Sequence, residues 1–186
     1  MANTEHQETL DSLDKISVCL YRFGITLFAM ALLVFSVLIS GAISSSPLVY
    51  QTSVIALCVA GALSAANVHV YSKHVRAVIS WASWIGLVLM VSDLEFQRTW
   101  LGLGFIFVTF SGIALKESFC FKVPGLKMVP AFLVVATFAL WFNLPILAAI
   151  TMLLAGLVMG FLSFAKWRMP LHFDICLLYT SPSPRD

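Results

Sequence analysis

Seven residues hold most of the chain's chemical potential. They lie in two short stretches. The first is Asn67-Val-His69-Val-Tyr71-Ser-Lys73-His74-Val-Arg76, and the second is Lys116-Glu117-Ser-Phe-Cys120-Phe121-Lys122. His69, His74, Glu117 and Cys120 together form a mixed nitrogen, oxygen and sulfur ligand set of the kind that transition metals accept. Lys73, Arg76, Lys116 and Lys122 beside them suit contact with anionic lipid headgroups. The spacing argues against a preformed site. His69 and His74 are separated by roughly 140° around one continuous helix, so they do not chelate from it. Glu117 and Cys120 share a face, being three residues apart. No standard metal motif is matched. The residues favour a structural network in which Glu117 pairs with Arg76 or Lys73 and Cys120 packs as a small buried side chain. In that reading His69, Tyr71, His74, Arg76, Lys116, Glu117 and Cys120 form one polar cluster. No metal or other cofactor is predicted.

The elements that must hold these residues are set by composition. Of 186 residues, 60% are hydrophobic and 11% charged, with a mean hydropathy of +0.96. Soluble domains carry about 25% charged residues. This chain has too little polar surface to cover a water-soluble globule. It reads as a protein whose solvent is lipid. The net charge of +2 and the lack of a basic, aromatic-rich face argue against a nucleic-acid partner.

A membrane-crossing helix needs roughly 20 apolar residues. Six segments qualify: 23–43, 48–70, 75–91, 99–115, 128–142 and 145–164. The fifth is short. Lys116–Lys127 is read as a loop, and Asn143-Leu144-Pro145 divides the last apolar block. The polar leader 1–15 is a cytoplasmic tail, and residues 11–20 form either a short helix on the membrane surface or a frayed end. The leader holds Glu5, Glu8, Asp11 and Asp14, which does not suit a cleaved signal peptide.

Charge distribution supports this layout. With six spans, nine lysines and arginines fall on one side and only Arg98 on the other. Positive residues collect in cytoplasmic loops, so both termini are expected inside. The expected fold is all-α, a compact bundle of six transmembrane helices. Tyr50, Trp100 and Trp141 would sit at the outer boundary, and Tyr21, Tyr71 and Trp167 at the inner one. The expected partners are the lipid bilayer, anionic headgroups at the inner face and other membrane proteins. Gly156-Leu-Val-Met-Gly160 and Gly61 are expected to mark close helix packing, within the molecule rather than between copies.

The span centres hold no ionisable group, unlike most transporters. A polar path would have to use neutral residues such as Asn67 and Thr109. The composition therefore favours a non-enzymatic membrane protein that organises other complexes. A small-solute transporter or channel, and a metal protein or enzyme with a site at the inner face, remain the alternatives.

Two resemblances complete the reading. His69-Val-Tyr71 with His74, Gly112–Phe121 and Pro170–Ile175 resemble an uncharacterised integral membrane family, a domain of unknown function found mainly in photosynthetic bacteria. This implies a multi-span protein of a plasma or thylakoid membrane and assigns no activity. The last eleven residues, Cys176–Asp186, resemble a translated sequencing adapter. Without them three cysteines remain, Cys19, Cys58 and Cys120, with no disulfide framework.

Overall fold

In a computed structural model, residues 11–42, 46–68, 73–93, 95–171 and 174 are described. All regular structure among them is helical. The six helices are α1 (Ser12–Ile39), α2 (Pro47–Ala66), α3 (Lys73–Ser92), α4 (Thr99–Cys120), α5 (Val129–Trp141) and α6 (Pro145–Trp167). All but α5 are long and apolar enough to cross a membrane. The 13 residues of α5 span only about 20 Å. A single 3-10 turn, Leu126–Met128, precedes it.

The helices form a closed ring in chain order, with α6 returning to pack along α1. Three helices build the centre. On α1 the buried side chains are Tyr21, Ile25, Phe28, Leu32 and Phe35. On α4 they include Leu103, Ile106, Phe110, Ile113 and Glu117. On α6 they include Ala148, Met152, Ala155, Met159, Leu162 and Lys166. Each series steps by three and four residues, the seam that lets near-parallel helices interlock. Phe28 stacks on Phe110 at 3.6 Å between ring centroids and meets Phe107 edge-on.

Small residues set the closest approaches. A Cβ on Gly156 would stand 2.9 Å from the Leu33 side chain of α1, and one on Gly160 would just touch Ala29. Both glycines of the Gly156–Gly160 pair therefore face α1 of the same chain. A Cβ on Gly61 would meet Ile106 of α4 at 2.9 Å.

Local sequence explains the breaks. Asn143 adopts a positive φ of 54° at the end of α5. The Leu144 N–H then reaches back to the Ala139 carbonyl at 2.8 Å, and the Asn143 N–H to Leu140. This is a left-handed helix stop, and Pro145 starts α6 where its missing N–H is harmless. Asp93 closes the α3–α4 turn, its carboxylate accepting from the backbone N–H groups of Gln97 at 3.0 Å and Arg98 at 2.6 Å. At this same end Trp100 stacks on Trp141, and Tyr50 packs between Phe35 and Phe96.

Two expectations are corrected. Helix α1 is continuous from Ser12, with Asp11 as its N-cap, so residues 11–20 are the first turns of the long helix and not a separate element. Helix α4 continues through Cys120, so the loop expected from Lys116 begins only at Phe121. Nothing in Lys116-Glu117-Ser-Phe breaks a helix. The charges only looked like an end, because they look like water-facing residues.

Candidate functional site

The extra turn of α4 carries Glu117 inward. It lies one step beyond Ile113 on the buried seam, and only 2% of it is exposed. Lys166 continues the α6 seam in the same way and is 1% exposed. Tyr21 lies on the α1 seam between Val18 and Ile25, with Arg22 buried beside it. Three helices that are far apart in sequence thus bring their charged turns together at one end of the bundle.

The geometry leaves few polar atoms unused. Lys166 Nζ donates to Glu117 Oε2 at 2.9 Å and to Asp174 Oδ1 at 2.5 Å. It also lies 5.2 Å above the Tyr21 ring and 5.0 Å above the Phe121 ring, within cation–π range. The other oxygen of Glu117 accepts from the Tyr21 hydroxyl at 2.8 Å and from Lys116 Nζ at 3.2 Å. Arg22 spends its fork on the segment after α6. Its Nε donates to Asp174 Oδ2 at 2.6 Å, Nη1 to the Met169 carbonyl at 2.8 Å and Nη2 to the Pro170 carbonyl at 3.1 Å. One turn away, Thr26 Oγ1 bonds Ser163 Oγ at 2.7 Å and accepts from the Trp167 indole at 2.9 Å.

Three cations (Arg22, Lys116, Lys166) face two carboxylates (Glu117, Asp174), for a formal charge of +1. Burying an unpaired charge costs several kcal/mol, and good pairing with extra hydrogen bonds offsets it. Here Arg22, Lys166, Glu117 and Asp174 balance one another, and the extra charge belongs to the less buried Lys116. The cluster ties α1, α4, α6 and the segment through Asp174 into one joint.

This arrangement differs from the cluster expected from sequence. Glu117 pairs with Lys116 and Lys166, not with Arg76 or Lys73. The seam position of Glu117 turns it toward α1 and α6. Cys120, expected to be buried, is exposed. His74 and Arg76 are exposed on α3 and take no part in the joint. His69 and Tyr71 lie outside the described residues. Among the described residues no three His, Cys, Asp or Glu side chains are grouped to hold a metal ion. Tyr21, placed at the lipid boundary by composition, is instead a buried donor to Glu117. Tyr21, Arg22, Lys166 and Asp174 were not singled out by residue type. Lys166 could have been found by extending the α6 seam one step past Leu162, and Tyr21 by following the α1 seam back from Ile25.

The two neutral residues expected to line a polar path, Asn67 and Thr109, lie apart among the described residues. Thr109 is buried, and its hydroxyl donates to the Ile79 carbonyl at 3.1 Å. Asn67 instead borders a cleft of about 470 Å³ between the end of α2 and the start of α3, with Lys73, Arg76 and Ser80. A second crevice of about 260 Å³ between α4 and α5, walled by Trp100, Val108, Leu133 and Phe138, holds no charged group.

No family model and no solved structure matches the chain. An uncharacterised protein of Haemophilus influenzae is 33% identical over 175 residues, covering 94% of this chain and 95% of that protein. The chain belongs to the same family as this protein. The likeness runs almost end to end in both members, so it takes in the bundle as a whole rather than one helix pair.

Proposed function

We propose that the chain is a multi-pass protein of the bacterial plasma membrane, with its charged joint at the cytoplasmic face, and that it organises other membrane components rather than catalysing a reaction. Five long apolar helices support the membrane reading. Arg22, Lys73, Arg76, Lys116 and Lys166 fall at one end of the bundle, and Arg98 at the other, which supports an inward orientation of the joint. The family member in Haemophilus favours the plasma membrane over a thylakoid.

The observation that carries the non-enzymatic reading is the pairing of Glu117 and Asp174. A catalytic acid or base needs a group free to exchange protons with a substrate. Both carboxylates are instead held by cations, and Glu117 also by the Tyr21 hydroxyl. They serve as fasteners.

Orientation is tested by thiol labelling with an impermeant maleimide. Cys120 is exposed at the joint end, and Ser40 is exposed at the other. Cys120 should label only in inside-out vesicles, and a Ser40→Cys variant in intact cells. Labelling of both from one side would overturn the layout. The organising role is tested against the transporter alternative in liposomes. The reconstituted protein should leave them tight to protons and small ions, whereas a flux lost on Glu117→Gln would favour transport.

A further inference from the structure

The cleft between α2 and α3 has a composition unlike the joint. Lys73 and Arg76 line it, with Ser17 of α1, Asn67 at the C-cap of α2 and Ser80 of α3. Among the described residues, no carboxylate pairs with Lys73 or Arg76. The first turn of α3 adds backbone N–H groups without intrahelical partners and the positive end of its dipole. Ser80 is the one hydroxyl there with a described bond, to the Ala65 carbonyl at 3.4 Å.

Trp81, which is 68% exposed, also lines the cleft. Trp81, Ile85 and Val88 follow Lys73 and Ala77 in steps of three and four, so they share one face of α3 and are all exposed. Helix α3 is also the least covered of the long helices. Only 22% of its apolar window is buried, against 44–50% for the other four. A cationic, hydroxyl-lined cleft therefore opens onto a bare apolar stripe running toward the bundle's middle. That sequence of surfaces matches a molecule with a phosphate at one end and hydrocarbon at the other.

We propose that this cleft binds the phosphate of an anionic lipid headgroup, with an acyl chain laid along Trp81, Ile85 and Val88. A headgroup can sit here only if this end lies at a membrane surface, as proposed above. Free phosphate shares the polar chemistry but would make no use of the stripe.

The test is lipid binding to the purified full-length protein in neutral detergent, followed by native mass spectrometry. Three probes are compared: short-chain phosphatidylglycerol, short-chain phosphatidylcholine and glycerol phosphate. Each cation near the surface favours an anionic lipid, so Lys73→Gln with Arg76→Gln should weaken phosphatidylglycerol binding roughly thirtyfold. Lys127→Gln, an exposed charge elsewhere, should leave it unchanged. Trp81→Ser should weaken phosphatidylglycerol binding without affecting glycerol phosphate. Equal binding of the two lipids overturns the proposal, as does an equal loss in Lys127→Gln. Glycerol phosphate bound as tightly as phosphatidylglycerol makes this a free-phosphate site and also overturns it. Should the double variant fail to fold by circular dichroism, added salt on the unaltered protein replaces it. Salt must then erase the lipid preference, and a salt-insensitive preference counts against the site. A chain that does not fractionate with membranes sinks the membrane reading itself. One that stays in the membrane without discriminating the lipids sinks only this site.

Discussion

Two corners of the same bundle end treat positive charge in opposite ways. At the α1–α4–α6 corner, Arg22 and Lys166 are buried and matched to Glu117 and Asp174. At the α2–α3 corner, Lys73 and Arg76 are exposed around a cleft, with no carboxylate partner among the described residues. Both corners contribute equally to a count of positive residues at one membrane face. Their energetics differ entirely. A buried pair is costly to break, because the surviving charge stays buried. An exposed cation is close to neutral for stability and is available to something outside the molecule. The first corner fastens three helices to one another, and the second is the one proposed above to meet a lipid headgroup.

The largest way to break this contrast is to remove Lys166. Lys166→Met removes the cation shared by both carboxylates, leaving Glu117 to Lys116 and the Tyr21 hydroxyl and Asp174 to Arg22, and should destabilise the protein by about 3 kcal/mol. Unfolding in a denaturing-detergent titration measures it. A loss as small as a surface substitution would mean that the corner is wet and not buried. Asp174→Asn comes next. It keeps the shape but loses the negative charge and one acceptor oxygen, turning an amide NH2 toward a cation, so a loss of about 1.5–3 kcal/mol is expected. It should also release the segment after α6, seen as faster proteolysis beyond Met169. Tyr21→Phe removes one hydroxyl donor to Glu117 and should cost about 1 kcal/mol, with the fold intact. At the open corner, Lys73→Gln and Arg76→Gln should each shift stability by no more than about 0.5 kcal/mol. A loss comparable to that of Lys166→Met would erase the distinction between the corners.

Much of this was legible in the sequence, for definite reasons. Helix number and approximate position follow from hydropathy. The α5–α6 break follows from Asn143 and Pro145, whose backbone preferences are local. The joint was only half legible. Glu117 and Lys116 drew notice by their types. Their partners did not, because Lys166 and Arg22 look like the flanking cations that any membrane helix carries. Whether such a cation faces water or the core depends on its angle around the helix. That angle is readable only once the helix is known to continue past its last apolar residue. Glu117 illustrates this. Reading Lys116 as the start of a loop discarded the seam that runs through Ile113 to Glu117 and pointed the carboxylate toward Arg76 instead. The pairing with α1 and α6 also needs the ring closure of the bundle, which no local pattern encodes. The open corner was legible as charge but not as shape, since its cleft exists only between two packed helices.

The account rests on Glu117 and Lys166 acting as one buried unit, and a double-mutant cycle addresses that directly. Glu117→Leu, Lys166→Met and the double variant are compared with the unaltered protein by denaturing-detergent unfolding. Each single change unbalances the buried charges, whereas the double change leaves the matched Arg22–Asp174 pair. The double variant should therefore be more stable than Lys166→Met alone, with a coupling of about 2 kcal/mol or more. Losses that simply add, leaving the double variant the least stable of all, would contradict the joint.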